Sequence, residues 1–553
     1  MFLILFASCA AAVAAFAVFS ILRAVYREFN SPIRDLPGPE CSNLLFGHHK
    51  ELTKEDSTAL QQQWVREYGR TLRLRDLFGR TKVYTVDTKA ISHFLTHPES
   101  YQRPALSKYL LSRVVGPGLL VAEGAAHRQQ RRIMSPAFGT PQIRELVPLF
   151  LDKAIELREI WGERTATGSG TTRVDGLSWL NKATLDIIGL AGFNYNFNSL
   201  RAQQPMELAT AFSALMEASA KVDLIRMIQG LVPILRIIPT KYDAIVSVSE
   251  ATMTRIGRQI LRDSKAGMAE HGTYAKGSSR SRDLFSLLVR ANSAKNVSPS
   301  QRLSEKDVLA QVPTFLVAGH ETTSTAMIWA LFALTQNVPA QTRLRAELLR
   351  VPTDLPTMEE LNALPYLDCV VREALRLYAP VPWTSRVATA DDIVPLSTPG
   401  TDANGTVHET LWLAPEFFLM TLNRLHKIRI SKGQAIMIPI AAINRDKEIW
   451  GADADQFIPE RWDSDPRIST AIPGIWGEML TFIGGPRACI GYRFSILEMK
   501  ALLFTLVRAF EFELPVPADD IGVRVAVVRH PFVLSEPDKG HQMPLVVRAY
   551  TGC

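Results

Sequence analysis

Cys489 sits in a stretch that reads Phe482-Ile483-Gly484-Gly485-Pro486-Arg487-Ala488-Cys489-Ile490-Gly491, and an apolar run with helical character, 490–510, follows at once. A thiolate at a helix N-terminus is stabilised by the helix dipole and by unpaired backbone N–H groups. Such a thiolate can ligate haem iron axially and push electron density toward O–O cleavage. Gly484, Gly485 and Gly491 would let the backbone approach a flat macrocycle without Cβ clashes, and Arg487 is placed to reach a propionate. Against this stands the plainer reading, a buried structural cysteine in a Gly-Pro loop.

A second stretch, Ala318-Gly319-His320-Glu321-Thr322-Thr323, lies inside 307–336, which reads as one long, mostly apolar helix. Glycine costs about 1 kcal/mol against alanine in such a helix, and an acid beside two threonines there also needs a reason. Threonine hydroxyls bond back to carbonyls of the preceding turn and can open a helix locally, making room for dioxygen and water. Reduction of dioxygen with cleavage of its O–O bond needs two protons, so a polar relay in an apolar pocket has a use. The alternative is a core helix with a polar kink. Pro313 is a further break near the helix start and should bend it.

Glu373-Ala374-Leu375-Arg376 puts an acid and a base at i and i+3, on one face of a helix, a spacing that ordinary surface pairs also show. Phe457-Ile458-Pro459-Glu460-Arg461-Trp462 lies between it and Cys489. Upstream, Gly124-Ala125-Ala126-His127-Arg128-Gln129-Gln130-Arg131 offers clustered donors, and Arg386 follows Val381-Pro382-Trp383-Thr384-Ser385.

Taken together these stretches resemble, in order and spacing, the motifs of the cytochrome P-450 superfamily of haem-thiolate monooxygenases, in a microsomal, fungal-type form. The resemblance runs from Leu36 onward and implies a mainly α fold with small β-sheets (α+β). It implies haem b, with Cys489 as axial iron ligand and Phe482, Arg487 and Gly491 in the ligand loop. By the same match Thr322 holds the hydrogen bond near dioxygen, Glu321 feeds protons, and Ala318 and Gly319 face haem and substrate. Glu373, Arg376 and Arg461 correspond to a buried charge network that locks the cysteine loop. His127, Arg131 and Arg386 match residues that hold the propionates. His127 departs from the usual Trp, although its ring still offers an N–H, and Ile483 stands where many members carry a small or polar residue.

The chain of 553 residues is 47% hydrophobic, enough for a large core, and carries a net charge of +7 with no run of five like charges. Nucleic-acid binding therefore has no support, and a basic patch for an acidic protein partner or an anionic membrane is the better reading. The five cysteines (Cys9, Cys41, Cys369, Cys489, Cys553) are odd in number and contain no C-x-x-C pair, so neither a zinc site nor a disulfide framework is expected. Residues 2–22 carry no charge and Arg23, Arg27 and Arg34 follow. That pattern predicts a transmembrane anchor over 1–22, with the rest of the chain cytosolic. A cleaved signal peptide is the rival, but a basic n-region is missing. A basic, Pro-rich hinge over 23–45 then leads into a catalytic domain over 46–553. The expected location is the endoplasmic reticulum membrane, single-pass, with the sequons at Asn296 and Asn404 left unglycosylated.

Within that domain, 411–427 is an atypical apolar insertion, either an in-frame retained intron or a membrane-dipping segment. Apolar stretches at 110–121, 212–238 and 381–385, with Phe532 and Val533, are expected to border a pocket for an apolar small molecule such as a terpenoid, a lipid or another secondary metabolite. The chain shows no flavin or dinucleotide fingerprint. Electrons are therefore expected from NADPH through a separate NADPH-cytochrome reductase, with cytochrome b5 as a second donor, docking on Arg128, Arg132 and Arg493. A haem-thiolate isomerase or dehydratase, and a haem-binding protein without turnover, remain the rival readings.

Overall fold

Among the described residues helices dominate, and five small sheets accompany them. The computed structural model describes residues 28–202, 233–270, 283–293, 302–401, 427–463 and 472–552, apart from 42, 44, 54–56, 168–169, 399 and 526. It also describes single positions between 15 and 26 and between 207 and 229, and those at 298 and 407–408. Most of the expected anchor (1–22), the asparagines of both sequons, most of 212–238 and the insertion up to residue 426 fall outside the described residues. Among the described residues no helix is long and apolar enough to cross a membrane. The chain divides into two compact units, Met1–Gln102 with Trp383–Ala442, and Arg103–Pro382 with Ile443–Cys553.

In the first unit, strands Thr71–Arg75, Thr81–Thr85, Ala435–Ile438, Thr384–Ala388 and Tyr101–Gln102 lie side by side in that order. Thr71–Arg75 alternates, so Leu72 and Leu74 turn into a core with Trp64, Tyr84 and Met437. The hinge is not a free linker. Ile33 and Leu36 are buried, and the Arg73 N–H donates to the Pro37 carbonyl at 2.9 Å. A Cβ on Gly38 would lie 2.1 Å from the Arg73 carbonyl oxygen, so only glycine lets the hinge approach this strand. Strand Lys427–Ile430 pairs antiparallel with Asp392–Pro395, Lys427 opposite Pro395. The chain therefore leaves and rejoins the sheet at one paired position, and the pairing sets no length for what lies between.

The second unit is built around α1 (Gly124–Met134), α2 (Thr140–Thr167), α3 (Gly176–Phe193), α4 (Glu305–Leu309), α5 (Gln311–Gln336), α6 (Pro365–Leu377) and α7 (Tyr492–Ala509). Helix α5 packs along α3, and α7 along α2. Apolar nearly all round, α5 is buried along most of its length. The single helix expected over 307–336 is divided at Ala310. Pro313 has no N–H for the Leu309 carbonyl and its ring crowds that carbonyl, so the break falls one turn before the proline. Asp307 instead closes a capping box with Ser304 at the start of α4. Gly319 serves helix packing: a Cβ there would sit 2.6 Å from the Ile188 side chain of α3. Beyond α7, a three-stranded sheet (Phe510–Glu513, Pro544–Ala549, Thr171–Asp175) and the hairpin Ile521–Val525/Arg529–Val533 complete the unit.

Candidate functional site

Glu373 and Arg376, one turn apart on α6, have no exposed side-chain surface. Arg376 uses all five of its N–H groups. Nε and Nη2 reach Glu373 at 2.8 and 2.7 Å, Nη1 reaches the carbonyls of Asn444 and Ala454 at 2.9 and 2.6 Å, and Nη2 also reaches that of Gln456 at 3.1 Å. Glu373 in turn accepts from the Ile458 amide, Arg461 Nε and Trp462 Nε1 at 3.0, 3.4 and 3.0 Å. The expected acid–base network is thus one connected cluster. Its link to the cysteine loop is Asn444, fully buried and not singled out in the sequence. Its backbone carbonyl accepts from Arg376, while its side chain binds the Leu480 amide at 2.9 Å and Thr481 Oγ1 at 2.8 Å. Phe482 follows directly, and its carbonyl accepts the Cys489 amide at 2.9 Å.

Within the loop the glycines act differently from expectation. A Cβ on Gly484 would lie 1.6 Å from the Pro473 carbonyl oxygen, Gly485 has φ +69°, and Gly491 meets only an ordinary contact with Phe138. Two of the three therefore serve the loop's own folding. Ile483 has φ +56°, a left-handed conformation that a β-branched residue adopts only under strain. That is the physical content of its departure from small or polar residues. Phe482 is buried against Trp476 and Tyr492, at ring distances of 5.8 and 6.1 Å.

The Cys489 side chain is accessible, yet protein crowds around it closely enough that desolvation pushes its thiol up. The Gly491 amide and Arg131 oppose the shift but do not overcome it. The expected dipole-stabilised thiolate is therefore not a property of the polypeptide alone, and a coordinated metal ion would have to supply the missing stabilisation.

Beside the loop stands a surplus of positive charge. Arg131 donates from Nη1 to the Ala488 carbonyl, and Arg487 donates to the Ala122 carbonyl at 3.0 Å and pairs with Glu123. Arg103, missed in the sequence because a lone Arg-Pro carries no spacing, completes the group and is held down to about 10 by burial and by Arg487. His127 is pushed down to about 4 by burial and then by Arg487, Arg131 and Arg103, so it is neutral at physiological pH and keeps one ring N–H to donate. Glu123 is the carboxylate pairing with this cluster, and the Nε atoms of Arg103 and Arg487 are buried without hydrogen-bond partners. Arg386 belongs to the other unit, where its Nη1 donates to Thr384 Oγ1 and the Ser385 carbonyl, both at 2.8 Å.

Between residues 314 and 331, helix α5 breaks its burial in one stretch. Ala318 is exposed and Gly319, Glu321 and Thr322 are half-buried, while the residues around them are closed off. Thr322 Oγ1 donates to the Ala318 carbonyl at 2.7 Å and Thr323 Oγ1 to the Gly319 carbonyl at 3.2 Å, the expected back-bonding. The helix is nevertheless continuous here, so these bonds do not open it. Thr323 also meets Ser495 of α7 at 3.1 Å. Near it Glu498, wholly buried, has neither carboxylate oxygen in a hydrogen bond of normal geometry, and burial drives its pKa well above the carboxylate range despite some relief from Thr323. A lone carboxylate in the apolar run 490–510 was the available signal. Glu321 pairs with His530 at 3.2 Å, a partner far along the chain.

These residues fit a flat, dianionic, iron-bearing macrocycle. An accessible sulfur, a small-residue opening on α5 and buried guanidinium groups short of counter-charge are all present. The sequence profile of the cytochrome P-450 family matches residues 36–395 and 406–531. Cytochrome P-450 monooxygenases 128 and 205 of Postia placenta are 47% and 46% identical, each match covering 97% of this chain and 96% of the relative. The monooxygenase claW of Ampulloclitocybe clavipes is 33% identical over 96% of this chain and 95% of its own. The chain belongs to the cytochrome P-450 family, whose members are haem-thiolate monooxygenases with a mostly helical fold and small sheets.

Arg376→Ala leaves Glu373 buried without its main partner. It should cost about 3–5 kcal/mol and abolish haem incorporation, and full haem content in the purified variant would contradict the linkage through Asn444. Ile483→Gly relieves the left-handed strain and should raise stability by about 1 kcal/mol, measured as a denaturant midpoint; a lowered midpoint would refute the strain. His127 is unprotonated in the folded state until about pH 4 but from 6.5 in the unfolded chain, so the folded state loses stability as pH falls through that window. His127→Gln should flatten the fall of the haem-free protein's melting temperature there, and an unchanged slope would contradict the assignment.

Proposed function

We propose that the protein inserts one oxygen atom from dioxygen into an apolar small molecule, a terpenoid, lipid or other secondary metabolite, releasing the second atom as water. The observation that carries this is Cys489: an accessible sulfur within the second unit, in a loop tied through Asn444 to a fully buried ion pair. A haem bound there would supply the activation of dioxygen. The chain's own part is to hold and shield. Cys489 provides the thiolate, and the Phe482 carbonyl and Gly491 amide fix its loop. Arg131, Arg487, neutral His127 and Arg103 would hold propionate oxygens from within the second unit; the resemblance gives Arg386 the same task. Ala318 leaves room on α5, while Gly319 lets α5 close on Ile188 of α3. Thr322 would hold a hydrogen bond toward dioxygen by turning its hydroxyl from the Ala318 carbonyl, and Glu321 would be the proton source next to it in the chain.

Two electrons per turnover would come from NADPH through a separate reductase, with cytochrome b5 as a second donor. Arg128, Arg132 and Arg493 are all exposed and suit an acidic partner. Arg493 also borders a surface cavity shared with Arg372, Trp476 and Lys500. Residues 1–22 would anchor the chain in the endoplasmic reticulum membrane, with the catalytic part in the cytosol.

The test is turnover of the full chain with reductase, NADPH and isotopically labelled dioxygen against a panel of apolar compounds. One labelled oxygen per product is expected, at a rate that falls with salt as exposed charges are screened. Unlabelled, rearranged or dehydrated product would favour an isomerase or dehydratase, and no NADPH-dependent product from any compound a haem-binding protein. Thr322→Ala should keep NADPH consumption while product falls about tenfold or more and peroxide rises; unchanged coupling would remove Thr322 from the role given to it.

A further inference from the structure

Glu321 is not an isolated acid. His530, buried on strand Arg529–Val533, brings Nε2 to 3.2 Å from Glu321 Oε1. Its other nitrogen, Nδ1, is buried with no hydrogen-bond partner. The His530 ring stacks on that of His541, centroids 4.6 Å apart and planes 17° from parallel. His541 is exposed, at the end of a mostly exposed turn over 534–541 that includes Lys539. Two histidines from the C-terminal part of the chain and an acid some two hundred residues earlier thus run from the surface to the accessible stretch 318–322 of α5.

The charged and titratable groups acting on this line can be named. From α5 come Glu321 and His320, from the strand across come Arg524, the register partner of His530, and from the following turn His541. His320 is turned away, its Nδ1 at 2.9 Å from the Leu316 carbonyl. Arg524 lies over the Phe532 ring at 4.5 Å. Glu321 is the carboxylate of the group. Burial alone would raise its pKa, but donation from His530 and the neighbouring imidazoles outweigh this and bring it below the usual carboxylate value. One edge of His541 is exposed while protein crowds the rest of its ring, and that desolvation, then His530 and Arg524, push it down to about 4.

We propose that His541, His530 and Glu321 form a proton-delivery line from the protein surface to Thr322, with His530 the positioning residue that keeps Glu321 ionised and recharges it. The inference rests on the reading of Glu321 as the proton source. Donation to a carboxylate places the resting proton of His530 on Nε2 and leaves Nδ1 bare. A proton from surface water, taken up on the His541 side, binds Nδ1. The Nε2 proton then crosses to the Glu321 oxygen, giving a neutral imidazole and a carboxylic acid. Glu321 releases that proton toward Thr322 and is again a carboxylate, and the His530 ring resets by turning about Cβ–Cγ. No electron moves, and each passage carries one proton inward from water.

The test uses the full-length holoprotein and its Glu321→Gln, His530→Gln and His541→Gln variants with reductase. For each, the reduced, CO-bound spectrum first checks that the fold and haem are retained. Glu321→Gln and His530→Gln should both lose about tenfold or more in product formed per NADPH, with peroxide making up the difference. His541→Gln should be closer to wild type at low pH and fall away as pH rises and protons become scarce. Near neutral pH, His530→Gln should gain an infrared band of a protonated carboxyl that is absent from the His530→Gln/Glu321→Gln double variant, a readout independent of turnover. If Glu321→Gln uncouples while His530→Gln keeps wild-type coupling at every pH and shows no new band, the line is overturned and Glu321 stands. If Glu321→Gln itself stays coupled, the reading of Glu321 fails first and the line with it. Should His530→Gln lose its haem, the exposed His541 decides, and an unaltered pH profile there overturns the proposal.

Discussion

Glu373 and Arg376 face one another with no exposed surface on either side chain. A pair so placed contributes little net stability compared with apolar residues of the same shape, but neither partner can be removed cheaply. What it provides is a fixed point. Every donor of Arg376 is used, and one of them reaches the Asn444 carbonyl. The Asn444 amide then pins Leu480 and Thr481, and Phe482 holds the Cys489 amide. The sulfur's position is thus set by a polar chain starting on another helix, while the loop itself stores strain at Ile483 and tolerates no side chain at Gly484.

The electrostatics around that sulfur are left unbalanced by the protein. Desolvation raises the thiol, and Arg103, Arg131 and Arg487 crowd together with Glu123 as their carboxylate partner, depressing His127 among them. Each feature is unfavourable in the bare chain. Each is relieved by a group carrying a cationic metal centre and two carboxylates. The family's cofactor fits because the polypeptide is incomplete in these particular ways.

Local chemistry made much of this legible. The spacing around Cys489, the acid–threonine pair on α5 and the Glu373–Arg376 repeat all lie within a few residues, where sequence spacing is spatial spacing. The mainly helical fold followed from the family resemblance that those stretches carry. What stayed hidden depends on distant contacts. Asn444, Arg103 and His530 have no local signature, because their partners lie far along the chain. The glycine roles were misread for the same reason, since the atoms that exclude a Cβ at Gly319 and Gly484 belong to Ile188 and Pro473. Pro313 was visible as a break, but its consequence, two helices meeting at Ala310, needed the carbonyl of Leu309 in place.

All of these arrangements converge on one sulfur and one bond. The most direct measurement is the optical spectrum of the reduced, CO-treated protein compared with its Cys489→His variant. Thiolate ligation predicts the strongly red-shifted band of a sulfur-ligated haem in the native chain and its replacement by a histidine-type band in the variant. An identical spectrum in both would show that Cys489 does not bind the iron, and would contradict the account at its centre.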